Sequence, residues 1–497
     1  MGSASHRPKR WMAGGLVGLV AATIHGRSAA FDFTYLDDRD LIVDDSAFLL
    51  RPLSVLRAFA RPYMSVVDGQ HPYYRPLVTA SYVLDAQWSG ARPFGYHLTN
   101  VALHTTASIL VYALLRQFGF GALVTLLAAL VFAVHPALAA AVAWIPGRND
   151  SLLAVFALAA WLFFLRDAVR RSALYRILHL AFFWLSLLTK ESALALPLVC
   201  SVHLALVEPA TFARFRRSHA ALFVVGGWSA GIAARLLAHP VSGTATAAEF
   251  FGKLPSLFTS LGQLVLPANP SLVTVQEDLP LWPGVLAAGL IAAAVCFIPG
   301  VRPRVVGAGA ATFALFLFPA LFVPGTLIQS SRLYLPAMGF LVCVGEIARA
   351  VAERDRALLL SGFATTVAAL AVETLAYEGT LRDRRAFARS AVDAAPHSAL
   401  AHFCLGQSYQ IDGAADGALA EYRLALRLGA TYVVHNNIGV IYMANARWTD
   451  AERELREELA IDPHYARAYR NLAVVLRHEG RGEESRQAEE QADRLGR

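Results

Sequence analysis

Eleven apolar runs fill the first 380 residues: 11–29, 96–117, 121–145, 150–166, 174–189, 191–207, 219–238, 282–298, 305–323, 333–349 and 357–377. A spanning helix needs about 20 mostly apolar residues. In lipid the backbone polar groups of such a run have to be satisfied within the segment, and helices do that. An ordinary soluble enzyme is excluded, and an all-α polytopic membrane protein is predicted. Arg7, Lys9 and Arg10 before the first run imitate a signal peptide, but the ten runs that follow favour an uncleaved first helix.

The charge pattern breaks near residue 380. Residues 381–497 hold 33 of the 81 Asp, Glu, Lys and Arg side chains in 117 positions, and the first 380 hold 48. The chain therefore divides into an embedded domain, 1–380, with a long first external loop at 31–95, and a polar C-terminal domain, 381–497. The net charge of +7 belongs to the embedded part, with 28 basic against 20 acidic residues, while the tail has 16 against 17. Sidedness explains such an excess before nucleic acid does. With the N-terminus cytoplasmic, inside loops carry sixteen Lys and Arg, and the outer segments beyond the first loop carry Arg148, Lys190, Lys253 and Arg332. That orientation makes 251–267 a re-entrant or interfacial helix and puts the tail outside, with the first loop. Lys9, Lys190 and Lys253 are the only lysines against 41 Arg, a bias that points to a GC-rich bacterial genome. The four scattered cysteines suit buried packing better than zinc or a disulfide frame.

The tail repeats itself. CLGQSY (404–409), NIGVIY (437–442) and NLAVVL (471–476) place Gly406, Gly439 and Ala473 at intervals of 33 and 34 residues. Ala418 and Tyr422, then Ala451 and Leu455, then Pro463, follow in the same frame. The pattern resembles tetratricopeptide repeats. It predicts an α-solenoid of paired helices that approach closely at the small residues, with a half-repeat at about 382–394 and a degenerate terminal cap. Such arrays bind extended peptides or partner proteins and imply no catalysis.

The unusual residues lie in the outer loops. FDFTYLDDRDLIVDD (31–45) carries Asp37 and Asp38 just after the first run. WIPGRND (144–150) places Arg148 and Asp150 at a span junction, LLTKES (187–192) places Lys190 and Glu191 at another, and SSRLYLPAMGF (330–340) places Arg332 and Tyr334 at a third. Ions at a membrane edge are costly and suggest function, although local pairing or snorkelling explains any single one. Three such loops beside an Asp-Asp loop predict a converging anion site, with arginine suited to phosphate by its planar fork. His97, Asn100 and His104 recur at helical spacing, and serve either a cavity or hydrogen bonds between helices.

In this order, YLDDRDLI (35–42), YRPLVTASYVLD (74–85), PFGYHLTNVALH (93–104), VFAVHPALAAAVAWIPGRNDSL (131–152), LLTKESALALPL (187–198), LVLPANPSL (264–272) and SRLYLP (331–336) resemble the transmembrane and tetratricopeptide-repeat protein O-mannosyltransferases, a GT-C glycosyltransferase family. The resemblance runs over essentially the whole chain. It departs where relatives often carry Glu near Ala140 and before Arg332, a position held here by Ser331.

The resemblance implies a GT-C fold of about eleven transmembrane helices. It implies transfer of mannose from a polyprenyl-phosphate donor to Ser or Thr hydroxyls of proteins on the non-cytoplasmic side. That side is the periplasm for a bacterial inner membrane, or the lumen for an endoplasmic reticulum membrane in a eukaryote. Single displacement would invert the anomeric centre. Asp37 is the candidate base, with Asp38 orienting it or binding acceptor. Arg148, Lys190, Arg332 and Tyr334 are candidate donor-phosphate ligands. Arg75, His97, Asn100, Asp150 and Glu191 are further cavity candidates. Asp37, Arg148 and Arg332 are expected to face one outer cavity. The partners implied are the bilayer, the lipid-linked donor and an acceptor protein held by the repeats, not nucleic acid. No further cofactor and no metal site is assigned, and the clustered carboxylates leave a divalent metal open. Two rivals stand beside this reading: a GT-C transferase for another sugar or for a lipid or glycan acceptor, and a non-catalytic membrane-anchored repeat scaffold.

Overall fold

A computed structural model describes residues 7–64, 73–238, 246–323, 327, 329–430 and 433–495. Residues 65–72 of the first loop lie outside the described residues, as do the side chains of Arg7, Lys9 and Arg10, on which part of the sidedness argument rests.

The protein is all-α. Among the described residues the only extended pairing is an isolated antiparallel bridge between Val275 and Leu327. The apolar runs become the helices Arg7–His25, Pro93–Gln117, Arg148–Arg170, Ala173–Leu187, Leu196–Val207, His219–Ala238, Trp282–Phe297, Pro303–Leu317, Pro336–Ala352 and Arg356–Thr380. Among the described residues, five helices are long and apolar enough to cross a membrane, or six if one bent pair counts as a span. Large apolar side chains point outward from the apolar helices, the shorter Trp282–Phe297 included: Leu237 is 84% exposed, Phe297 82% and Val372 68%. Lipid is the solvent that such a surface suits.

The bent pair is the run 121–145, which is not one straight helix. Ala122–Ala133 and Pro136–Ala143 meet at 55°. Pro136 has no N–H to continue the ladder and its ring crowds the preceding turn. His135 restarts the chain: its Nδ1 accepts from Ala137 N at 3.2 Å while Nε2 donates to Leu264 O at 2.9 Å. Leu264 belongs to Ser256–Val265, a helix of ten residues. At 1.5 Å per residue it is about 15 Å long, half of a bilayer core. It packs tightly on Trp282–Phe297, where a Cβ on Gly284 would sit 1.7 Å from Phe258 O.

The tail consists of helices joined in pairs by three-residue turns: Ala399–Ile411 with Ala415–Arg427, Val434–Ala444 with Trp448–Ile461, and Ala466–His478 with Gly482–Leu495, preceded by Arg384–Ala394. Turns this short force antiparallel neighbours. A Cβ on Gly406 would lie 2.7 Å from the Tyr422 ring, and one on Gly439 would lie 3.0 Å from Leu455, so the small residues do sit where paired helices touch. The tail docks on the membrane part through a dry cluster in which Phe387, Ala391, Ala401 and Leu405 meet Ala139, Ala143, Trp144 and Leu272. The first loop is tied to it by Asp32 N donating to Arg382 O at 2.8 Å.

Candidate active site

The first loop is shaped by a strained turn. Tyr35 adopts φ +62, a left-handed conformation that costs a bulky residue about 1–2 kcal/mol. A single π-helical turn, Arg39–Val43, follows; such turns are frequent at functional sites. Between them, buried Asp38 accepts at Oδ2 from Thr34 N at 2.7 Å and from Thr34 Oγ1 at 3.0 Å. Asp38 thereby holds the turn. Its carboxyl is raised to about 6 by burial, opposed by those hydrogen bonds from Thr34. Asp37 keeps part of its surface exposed although protein crowds it on all sides. Burial first, then repulsion from Asp40 and Asp38, push its carboxyl up to about 7, against the pull of Arg75.

Arg75 connects Asp37 to the helix ends on the side of the first loop. Its guanidinium lies over Tyr73 at 4.6 Å and Tyr63 at 5.2 Å, and Nη2 donates to Glu191 Oε2 at 3.1 Å. The other oxygen of Glu191 accepts from Arg235 Nη2 at 3.3 Å. Next to Glu191, Lys190 Nζ pairs with Asp150 Oδ1 at 2.5 Å. Asp150 stands in the first turn of Arg148–Arg170, where the helix dipole favours an acid. Burial lowers the Lys190 ammonium, and Asp150 opposes that shift. Arg332, in the turn Ser330–Leu333, completes the group: Nε donates to Gln329 Oε1 at 3.2 Å, and among the described residues no carboxylate pairs with it. Arg332 is close enough to Arg75, Lys190 and Lys253 to repel each of them. Four neighbouring cations, Arg75, Lys190, Arg235 and Arg332, thus face two paired carboxylates, Asp150 and Glu191. The surplus is positive, as an anion site needs.

Four of the residues read from the sequence lie elsewhere. Arg148 is fully buried. Its Nε donates to Asn100 Oδ1 at 2.7 Å, Nη1 to Ser81 Oγ at 3.1 Å, and Nη2 to Tyr96 O at 2.7 Å, while Nη1 is 2.6 Å from Asp85 Oδ2. It cross-links three helices and presents no free edge to a phosphate. The expectation that Asp37, Arg148 and Arg332 share a cavity therefore does not hold for Arg148. Tyr334 is also internal: His104 Nε2 donates to Ala133 O at 3.1 Å, which leaves Nδ1 to accept from the Tyr334 hydroxyl at 2.6 Å. The Asn100 amide donates to the carbonyls of Val142, Trp144 and Ile145, each at 3.2 Å, and so clamps the chain between two helices. His97 is buried edge-on to Phe31 at 6.2 Å.

Arg235 was not singled out in the sequence. The available signal was that it is the lone charge inside the apolar run 219–238, a placement that marks function or pairing. Among the described residues no group of three or more His, Cys, Asp or Glu side chains is placed to hold a metal ion.

The fold and the cation-rich face define an all-α polytopic membrane protein with a polar site where the first loop meets the ends of the apolar helices. No protein-family model matches the chain. Individual proteins do. The chain is 35% identical over 171 residues to protein O-mannosyl-transferase Tmtc1 of Drosophila melanogaster, covering 34% of this chain and 20% of that protein. It is 39% identical over 105 residues to tmtc2 of Xenopus laevis (21% and 12%) and 34% identical over 164 residues to TMTC4 of Homo sapiens (30% and 22%). Over these stretches the chain is similar to the TMTC protein O-mannosyl-transferases, and the matches span about a fifth or less of the length of the first two.

Proposed function

We propose that the protein transfers mannose from a polyprenyl-phosphate donor to Ser or Thr hydroxyls of proteins on the non-cytoplasmic side of its membrane. The observation that carries this reading is the link from Asp37 through Arg75 to Lys190 and Arg332: a carboxyl poised near neutral pH beside a cluster of cations with a positive surplus. A hydroxyl is a poor nucleophile, and a positioned base with a pKa near the working pH serves it best. The acceptor oxygen attacks the anomeric carbon, its proton passes to Asp37, and the bond from that carbon to the phosphate oxygen breaks. The leaving polyprenyl phosphate keeps the electron pair, and Arg332, Lys190 and Arg75 stabilise it. One displacement of this kind inverts the anomeric centre.

An apolar surface next to the cations suits a lipid-linked donor. Phe250, Phe318 and Phe322 form an aromatic cluster with ring centroids 5.0–6.1 Å apart, and Phe251, 66% exposed, lies against Phe250. Lys253 donates to Val323 O beside them and is within electrostatic reach of Arg332. A prenyl chain on the aromatics would set its phosphate among the cations.

The test is transfer by the purified full chain from labelled polyprenyl-phosphate mannose to a Ser/Thr peptide. Transfer that Asp37→Asn abolishes, with donor binding retained, supports the reading. Undiminished transfer by Asp37→Asn removes Asp37 as the base. Absence of transfer from any polyprenyl-phosphate sugar leaves the repeat scaffold as the better account.

A further inference from the structure

We infer that the cavity between the first loop and the tail is the groove for the acceptor polypeptide, and that it prefers an extended segment with an acidic side chain near the acceptor hydroxyl. This deepens the transferase reading and rests on it only for what happens after binding.

The cavity has a volume of about 360 Å³. Leu36 and Asp40 of the first loop form one wall, and Gln407, Asn436, Asn437 and Asn471 of the tail form the other. Leu36 and Asp40 bracket Asp37 in the chain. Cys404, also on the wall, lies close enough to Asp37 and Asp38 to feel their charge. A segment held here lies against the loop residues on either side of the proposed base, which itself does not line the cavity.

The tail wall follows from the repeat. Positions 404, 437 and 471 are 33 and 34 residues apart, as are 403, 436 and 470, so the first helices of the three pairs turn equivalent faces to the cavity. The amides on those faces are chained. Asn471 Nδ2 donates to Asn436 Oδ1 at 2.8 Å, Asn436 Nδ2 to Asn437 Oδ1 at 3.3 Å, and Asn437 Nδ2 to the Tyr422 hydroxyl at 3.2 Å. The chain orients each amide and uses only part of its capacity, since a primary amide has two N–H donors and two lone pairs. Side chains that offer donors and acceptors side by side match a polypeptide backbone, which carries one of each per residue. An extended segment is the form in which those backbone groups are not already paired internally.

The rim gives the charge preference. Arg39 and Arg467 share a single carboxylate, Asp44, at 3.5 and 3.7 Å. Arg470 is exposed, and among the described residues no carboxylate pairs with it. On the rim itself Arg39, Arg467 and Arg470 outnumber Asp40 and Asp44 by one, while Asp37 and Asp38 stand behind the wall and do not line the cavity. That rim excess suits an acidic side chain, and is too little for a nucleic acid, whose affinity rests on many phosphate contacts.

The experiment is anisotropy of fluorescein-labelled peptides with the full chain in detergent and no donor present. One peptide carries Thr flanked by Asp and Glu, the other Thr flanked by Lys. The acidic peptide is expected to bind about fivefold more tightly, the upper range for an exposed ion pair, with the difference shrinking at high salt. Arg470→Glu, at an exposed position that leaves packing intact, should abolish or reverse that preference. Asn437→Ala with Asn471→Ala should weaken both peptides alike, because the amides read backbone. Equal binding of the two peptides by the wild type, or a preference unchanged in Arg470→Glu, overturns the charge assignment. Unchanged binding in the double Asn variant overturns the groove. Binding that behaves as expected without any transfer overturns the transferase reading and leaves the groove standing; transfer with no peptide binding at the cavity does the reverse.

Discussion

Arg148 Nη1 lies 2.6 Å from Asp85 Oδ2, and both side chains are buried. Two residues 63 positions apart thus form a closed pair, with Thr99 Oγ1 donating to the other Asp85 oxygen at 2.7 Å. The pair works as a structural bolt between helices, so its loss should appear in stability.

Arg148→Ala strands the Asp85 carboxylate in the interior. Removing one partner of a buried pair costs about 3–5 kcal/mol. Thermal unfolding of the purified protein should show a large drop for Arg148→Ala. Arg148→Lys should recover little of it, because one ammonium cannot replace donors to Asn100, Ser81 and Tyr96 O.

Arg332→Ala should behave in the opposite way. Among the described residues it has no carboxylate partner, so the melting temperature should barely move. Transfer should fall by about 100-fold or more, the usual consequence of losing a donor aimed at developing charge. A large loss of stability with little loss of transfer would exchange the roles assigned to Arg332 and Arg148.

The pH profile of transfer should rise through about 7. Asp37 has its carboxyl raised, so below that value it is protonated and cannot accept a proton, and above it the base is available. Asp40→Asn removes one of the charges that raise it and should move the inflection to lower pH. An inflection left in place by Asp40→Asn would mean that another group sets the profile.

The three turns of the tail offer a stability test. Gly413 at φ +77, Ala446 at φ +54 and Gly480 at φ +80 are equivalent positions, 33 and 34 residues apart. Each is followed by the same closing bond: Ala414 N to Tyr409 O, Arg447 N to Tyr442 O and Arg481 N to Leu476 O, all 2.9 Å. This is the helix-end motif that favours glycine. Ala446→Gly relieves a left-handed alanine and should stabilise the tail by about 0.5–1 kcal/mol, net of the greater freedom glycine gains when unfolded. Gly480→Ala should destabilise it by about 1 kcal/mol. Both are measurable as shifts in thermal unfolding of the full chain.

Much was legible before the structure because its causes are local. The apolar runs had to become helices, since a segment in lipid satisfies its own backbone. The run 121–145 read as one span but bends by 55° at His135, where Pro136 breaks the ladder locally and the imidazole reaches the Leu264 carbonyl 129 residues away. Cations beside the apolar runs were visible as a class, but their division into a buried, fully paired arginine and a cluster with a positive surplus was not. Arg148 and Arg332 occupy similar loop positions in the sequence, and nothing local tells them apart.

By itself, then, the sequence determined which segments are helical, the 33- and 34-residue spacing of the tail, and the set of ions at the helix ends. Periodicity and hydropathy act over one or two turns, and those properties need nothing more. Tertiary structure decided which ions are matched: Asp85 closes on Arg148, Glu191 is shared by Arg75 and Arg235, and Arg332 has no paired carboxylate among the described residues. It also brought the amide faces of the tail opposite Leu36 and Asp40 of the first loop across one cavity. The availability of a charge depends on its neighbours in space, and the chain brings those neighbours together only when it packs.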